Sequence, residues 1–162
     1  MSVITEEHIV QSVQDALQYI SYYHPADFVE GMVKAYENEA SPSAKNAIGQ
    51  ILINSKMCAM GKRPICQDTG MVNVFVKLGL NAKLDIKQDL LEVINEGVRR
   101  AYTHPDNTLR YSVLSDPAGA RKNTKDNTPA IMHVETNLSD KIEITVAAKG
   151  GGRENKAKFG VL

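Results

Sequence analysis

Hydrophobic residues recur at helical spacing along the first third of the chain. The first such pattern predicts an amphipathic helix over residues 6–22, with Thr5 as its candidate N-cap. Pro25 and Pro42 break the pattern, and two further helices are predicted, from residue 25 to about 39 and over residues 43–60. Cys58 belongs to the apolar side of the third helix, which predicts a core position for its thiol.

After Gly70 the hydrophobic period changes from helical spacing to alternation. Val72, Val74, Val76 and Leu78 alternate with Met71, Asn73, Phe75 and Lys77, which predicts a strand over residues 71–78 with one markedly apolar face. Helical spacing then returns over residues 85–102. Two more strands are predicted at 130–136 and 141–148, with residues 137–140 as a hairpin connection between them.

The order of these elements predicts an α+β fold. N-terminal helices precede a mixed sheet with a packed helix, and no linker divides the chain, so a single domain of undetermined strand order is expected. A long polar segment at 103–129 separates the last helix from the last two strands. Segments of this length inside a compact domain are usually functional or disordered.

A short loop at residues 61–70 lies between the third helix and the first long strand. Gly61 is expected to end the helix in a left-handed turn, Pro64 prevents its continuation, and Gly70 turns the backbone into the strand. The loop therefore displays Cys66 and its two polar neighbours, Gln67 and Asp68, between rigid elements.

Charge and composition narrow the class of protein. The 162 residues contain 19 Lys plus Arg and 19 Asp plus Glu, with no basic block, which argues against nucleic-acid binding. The sequence has neither the apolar core of a signal peptide nor a membrane-length apolar run, so a cytoplasmic protein without membrane contact is expected. Its two cysteines are too few for a disulfide framework and are better read as thiols, ligands or nucleophiles.

Several residues could take part in catalysis or ligand binding, and each could also have a purely structural role. Cys66 suits a metal ligand or a nucleophile, or fills a small apolar space. Asp68 suits a base, a water-orienting group or a turn former. Arg110, in the long polar segment, suits a carboxylate ligand or a solvated surface position, and the glycines at 150–152 suit an anion-binding backbone or a tight turn. The Arg110 guanidinium and the backbone N–H groups of the glycines would together suit the binding of a small dianionic acid.

Four ordered blocks carry a resemblance to a known family. They are KRPICQDTG at 62–70, LRYS at 109–112, NT at 123–124 with NTPA at 127–130, and KGGGRENK at 149–156. Together they resemble the N-terminal catalytic region of the iron–sulfur-dependent class I fumarate hydratases, a pattern shared with tartrate dehydratase alpha subunits. Arg153 and Lys125 depart from the pattern, because the resemblance leads us to expect small residues there.

The resemblance implies a hydro-lyase that adds water reversibly to fumarate and gives (S)-malate. In that family three cysteines hold a [4Fe–4S] cluster that acts as a Lewis acid, and Cys66 corresponds to the first of them. The resemblance also places Gln67, Asp68, Arg110 and Gly152 against the carboxylates of the dicarboxylic acid, with Asp68 as the catalytic candidate.

The resemblance further implies that residues 1–162 are part of a longer catalytic domain. The other two cysteine ligands and the general base are expected on sequence beyond this chain, on the same polypeptide or on a second subunit. A homodimer of the full-length protein or a heteromer with a beta subunit is expected. Two alternatives stay open: dehydration of tartrate or another hydroxy-dicarboxylate, and a non-catalytic module for anion binding or assembly.

Overall fold

The computed structural model describes residues 3–66, 70–150 and 158. Helices and strands within these ranges confirm the α+β class. In chain order they are β1 (Ile4–Thr5), α1 (Glu6–Tyr22), α2 (Ala26–Asn38), α3 (Pro42–Gly61), β2 (Met71–Gly79), β3 (Leu84–Asp85), α4 (Leu90–Tyr102), β4 (Ile131–Asn137) and β5 (Ile142–Lys149). The short strands β1 and β3 pair in parallel, and they were not predicted. Because β3 occupies residues 84–85, α4 begins later than the expected residue 85.

The chain divides into two compact units. The first unit comprises Met1–Gln18 and Gln67–Leu162, and the second comprises Tyr19–Cys66. Helix α1 runs without a break through the boundary between Gln18 and Tyr19. The helical sequence pattern therefore continues across this boundary and does not signal it. Each unit is described by itself.

The first unit is built on a three-stranded sheet in the order β4-β2-β5. Strand β2 is central and is parallel to β4 and antiparallel to β5. Its alternating valines, Val72, Val74 and Val76, are buried, as the sequence pattern predicted. The core also contains apolar side chains of α1 and α4: Ile9, Val10, Val13, Leu17, Val93, Ile94, Val98, Ala101 and Tyr102.

Strands β4 and β5 do not form the predicted hairpin, because they lie on opposite edges of β2. The connection between them crosses the end of β2 instead. Leu80 N–H donates to the Asn137 carbonyl at 2.8 Å, and Gly79 N–H donates to the Lys141 carbonyl at 2.8 Å. A β-carbon at Gly79 would lie 2.3 Å from the Ser139 carbonyl oxygen, so the crossing requires glycine.

Helices α1 and α4 pack closely in the first unit. The predicted cap is confirmed: Thr5 Oγ1 accepts the His8 N–H at 3.3 Å, and His8 Nδ1 accepts the Thr5 N–H at 3.2 Å. A β-carbon on Gly97 of α4 would lie 2.7 Å from Val13 Cβ and 2.8 Å from the Val10 carbonyl oxygen. The absence of a side chain at Gly97 is what lets the two helices approach.

The second unit contains the last residues of α1 and the helices α2 and α3. Helix α2 buries none of its residues, and α3 buries only Ser55 and Cys58. The sequence predicted that Gly61 would end α3 in a left-handed turn, but Lys62 adopts that conformation instead, with φ 47°. The Lys62 N–H donates to the Cys58 carbonyl. Gly61 remains the last helical residue.

Candidate functional site

Asn127 joins three of the four sequence blocks within the first unit. Its Nδ2 donates to the Gly70 carbonyl at 2.8 Å, and its Oδ1 accepts the N–H groups of Ser112 at 2.8 Å and Val113 at 3.3 Å. Ser112 Oγ also donates to the Gly70 carbonyl at 3.4 Å. Asn127 is completely buried, so these bonds are not replaced by water.

The turn that carries Asn127 is fixed by its neighbours. Asn127 adopts φ 64°, a left-handed conformation that asparagine tolerates better than most residues. Asp126 Oδ1 accepts the Thr128 N–H at 3.0 Å, and Asp126 Oδ2 accepts Arg99 Nε at 3.0 Å. Burial raises the pKa of Asp126, but the hydrogen bonds from Thr128 and the Arg99 guanidinium outweigh it and leave that pKa below its ordinary value.

Gly70 brings the fourth block to the same place. Its φ is +62°, and a β-carbon there would lie 1.9 Å from the Lys149 carbonyl oxygen and 2.5 Å from the Gly150 nitrogen. Met71 and Lys149 are register partners in the sheet. The start of the KGGGRENK block therefore lies directly against the end of the KRPICQDTG block, and this close backbone approach requires glycine at Gly70.

Arg110 lies on a short stretch anchored on both sides. Before it, Leu109 is buried and donates its N–H to the Tyr102 carbonyl at 3.2 Å, at the end of α4. After it, the Ser112 N–H is bound by Asn127. The Arg110 residue itself is exposed, although its backbone is held on both sides.

The rest of the polar segment has regular hydrogen bonds of its own, although it lacks helices and long strands. Leu114 and Asn123 form an antiparallel bridge, and Thr124 N–H donates to the Val113 carbonyl at 3.0 Å. Lys125 has φ 66°, in the region that favours glycine, which gives a physical reason for the small residue expected there.

Cys66 lies at the end of the second unit, on a loop held by hydrogen bonds. The Ile65 N–H donates to the Ser21 carbonyl at 2.8 Å, and Asn54 Nδ2 donates to the Ile65 carbonyl at 3.3 Å. Cys58 is buried, as predicted, and its Sγ is 3.6 Å from the Pro64 carbonyl oxygen. The Cys66 residue is exposed, and neither cysteine forms a disulfide.

A histidine–serine contact also stabilises the second unit. His24 Nδ1 is 3.0 Å from Ser55 Oγ, and the His24 ring stacks on Phe28 with centroids 4.6 Å apart. Burial lowers the pKa of His24, because the charged imidazolium loses hydration there.

The predicted site residues are distributed unevenly over the described structure. Arg110 belongs to the first unit and Cys66 to the second, whereas Gln67, Asp68 and Gly152 lie outside the described residues. Sequence reasoning assigned no role to Asn127. The signal was available in its own block, because an Asp-Asn pair before Thr-Pro is typical of a turn that needs a left-handed residue.

The donor chemistry of the described residues suits a single cluster ligand. Iron–sulfur clusters are held by thiolates, and an exposed cysteine on a hydrogen-bonded loop fits that role, whereas the buried Cys58 thiol does not. In the described ranges, no group of three or more His, Cys, Asp or Glu residues is placed to hold a metal ion. Further ligands would have to come from outside those ranges.

A separate cavity of about 560 Å³ lies in the first unit between the start of α1 and the start of β5. His8, Ser12 and Lys141 contribute to its lining together with Ile4, Ile9 and Ile142. Arg110 is not among the described residues that line it. No helix among the described residues combines the length and apolarity needed to cross a membrane.

Arg110, Ser112 and Asn127 belong to the first unit together with Gly70. The family model for fumarate hydratase (Fumerase) matches residues 10–162. The chain therefore belongs to the fumarate hydratase family.

The similar proteins include both fumarate hydratases and tartrate dehydratase subunits. The chain is 32% identical over 155 residues to a putative L(+)-tartrate dehydratase subunit alpha of Methanocaldococcus jannaschii, which covers 93% of the chain and 53% of that protein. It is 32% identical over 122 residues to the anaerobic class I fumarate hydratase of Escherichia coli K12, covering 75% of the chain and 22% of the enzyme. It is 30% identical over 144 residues to fumarate hydratase 2 of Leishmania major, covering 88% and 25%. The chain thus spans about half the length of the tartrate dehydratase subunit and a smaller share of the two fumarate hydratases.

Proposed function

We propose that the chain forms part of the active site of a hydro-lyase that interconverts fumarate and (S)-malate. The observation that carries this proposal is the meeting of all four sequence blocks around Gly70 and Asn127, in a member of the fumarate hydratase family. The membership of Arg110 and Gly70 in the same unit supports the proposal.

The chemistry assigned to this chain is substrate binding and positioning. Arg110 binds a carboxylate of the dicarboxylic acid through its guanidinium fork, and the backbone at Gly152 with the Gln67 amide binds the remaining carboxylate oxygens. Asp68 orients the water or accepts its proton as the carbon–oxygen bond forms. Cys66 contributes one thiolate to a [4Fe–4S] cluster, which when bound supplies Lewis acidity toward the substrate oxygen.

The chain is proposed to act together with further polypeptide. Residues 1–162 are one part of a catalytic domain, and the remaining thiolates and the base that exchanges the carbon-bound proton come from additional sequence or a second subunit. The names of the similar tartrate dehydratase alpha subunits favour a heteromer with a beta subunit. A homodimer of a longer chain is the other arrangement, and a cytoplasmic location suits either one.

Turnover measurements test this proposal. The chain co-expressed with the polypeptide that completes the catalytic region, and loaded with cluster under anaerobic conditions, is expected to hydrate fumarate. The isolated chain is expected to give only the background rate. Hydration by the isolated chain at a rate well above background would contradict the proposed division of the site.

Tartrate is the second candidate substrate, because several of the most similar proteins are named for it. The ratio of kcat/KM for (S)-malate and L(+)-tartrate in the assembled enzyme separates the two. If neither acid is turned over while a dicarboxylate still binds, the chain is an anion-binding or assembly module instead.

A further inference from the structure

We propose that Asn127 is a positioning residue that sets the place of Arg110 for carboxylate binding. This inference rests on the proposed function, since it assigns Arg110 to the substrate. Asn127 is not itself expected to touch the substrate, because its side chain is completely buried and its polar atoms bind the backbone of Gly70, Ser112 and Val113.

The first step of the argument is that Arg110 is held from both sides by its backbone. On the N-terminal side, Leu109 is buried and its N–H is bonded to Tyr102 in α4. On the C-terminal side, Asn127 Oδ1 holds the Ser112 N–H at 2.8 Å. Only Arg110 and Tyr111 lie between these anchors, and the Tyr111 carbonyl also accepts Asn123 Nδ2 at 3.1 Å, so the backbone that carries the Arg110 side chain is held on both sides.

The second step is that Asn127 connects this stretch to other blocks that carry the family resemblance. Its Nδ2 donates to the Gly70 carbonyl, and Gly70 packs against the backbone of Lys149 and Gly150. The Asn127 amide thereby links the arginine stretch to the backbone around Gly70, and Ser112 Oγ adds a longer hydrogen bond to the same Gly70 carbonyl at 3.4 Å. Removing the Asn127 side chain leaves only the Ser112 hydroxyl to bond this stretch to the Gly70 carbonyl.

A glycine at position 127 separates the effect of losing the asparagine side chain from the effect of changing the left-handed backbone. Asn127 has φ 64°, which glycine adopts without strain, so Asn127→Gly deletes the three hydrogen bonds and retains the turn. Asn95→Ala is the matched control. Asn95 is also buried, and its Oδ1 accepts the Ala130 N–H at 2.9 Å, but it does not bind the Arg110 stretch.

The test is a double-mutant cycle in the assembled, cluster-loaded enzyme with fumarate as substrate. Arg110→Ala is expected to raise KM by about tenfold or more, the size expected for losing a hydrogen-bonded charge. Asn127→Gly is expected to raise KM by roughly tenfold with kcat nearly unchanged, because binding common to ground and transition states is lost. In the Arg110→Ala background, Asn127→Gly is expected to change KM by less than about twofold, because its effect passes through Arg110. Asn95→Ala is expected to leave KM unchanged.

The outcomes separate failure of this inference from failure of the proposed function. If Arg110→Ala leaves KM unchanged, the proposed role of Arg110 is wrong and the inference falls with it. If Arg110→Ala raises KM but Asn127→Gly does not, or if the two effects multiply, Asn127 does not act through Arg110. A loss of active enzyme at unchanged KM marks a purely structural role and also overturns the proposal.

Amide hydrogen exchange in the 162-residue chain provides a second readout that needs no activity. Asn127→Gly is expected to speed exchange at Ser112 and Val113 by about tenfold or more, while Leu109, bonded to Tyr102, keeps its protection. Unchanged exchange at Ser112 would show that Asn127 does not hold this stretch.

Discussion

Alanine at Gly97 tests the packing of α1 against α4 that supports the first unit. The new β-carbon would lie 2.7 Å from Val13 Cβ, 2.8 Å from the Val10 carbonyl oxygen and 2.9 Å from Val13 Cγ1. Two of these three atoms cannot rotate away, because one belongs to the backbone and one is bonded directly to it. The helices must therefore separate by several tenths of an ångström.

The expected magnitude follows from two opposing contributions. Overpacking a well-packed core costs roughly 1–3 kcal/mol. Replacing glycine by alanine inside a helix returns about 1 kcal/mol through lower backbone entropy in the unfolded chain. The steric cost lies toward the upper end here, since a backbone carbonyl is involved, so we expect Gly97→Ala to lower the free energy of unfolding by about 1–2 kcal/mol.

Gly31→Ala is the matched control, because Gly31 is also helical and a β-carbon there would meet nothing within 4 Å. Urea unfolding of each variant, followed by circular dichroism, measures both effects. Gly31→Ala is expected to gain up to about 1 kcal/mol. Gly97→Ala should also lower Tm by roughly 2–8 °C in a chain of this size. A Gly97→Ala chain as stable as the original would refute the close approach of the two helices.

Three further predictions concern other parts of the fold. Gly79→Ala is expected to destabilise the chain by at least about 1–3 kcal/mol in urea unfolding, because its β-carbon would meet the Ser139 carbonyl oxygen at 2.3 Å; an unchanged midpoint would contradict the crossing of β2. Since burial lowers the pKa of His24, the unfolded state binds the proton more readily, so stability should fall as pH drops below the ordinary value of 6.5, and His24→Gln should flatten this dependence. Asp126→Asn is expected to cost about 0.5–1 kcal/mol at pH 7, because its partner Arg99 is partly exposed. That cost should disappear as the pH falls through the lowered pKa of Asp126, and an equal cost at low pH would exclude the charge as its cause.

The sequence predicted those features of the fold that depend on local periodicity. The valines of β2 alternate because one face of the strand is buried, and α1 begins at Glu6 because the Thr5 hydroxyl caps its first turn. The pairing of β4 and β5 was wrong, because alternation identifies a strand without naming its neighbour. Gly79 gave the only local signal, since a glycine at the end of a strand permits another backbone to cross it.

The candidate site was predicted in part by residue type and by resemblance. The exposure of Cys66, the burial of Cys58 and the need for glycine at Gly70 all follow from local chemistry. The local sequence around Asn127 indicates a turn, but it does not identify the partners of the side chain, which lie 57 residues before it at Gly70 and 15 before it at Ser112. Contacts of that separation depend on the strand order, which the sequence left undetermined.

The most direct test of the assignment of Cys66 as a cluster ligand compares the two cysteines of the chain. In the assembled enzyme, reconstituted with iron and sulfide under anaerobic conditions, Cys66→Ser is expected to abolish the broad visible absorbance of the cluster together with fumarate hydration. Cys58→Ser is expected to retain both, because the buried Cys58 thiol binds Asn54 and the Pro64 carbonyl instead. Cluster absorbance that survives Cys66→Ser would contradict the assignment of Cys66 as a ligand and would favour an anion-binding module.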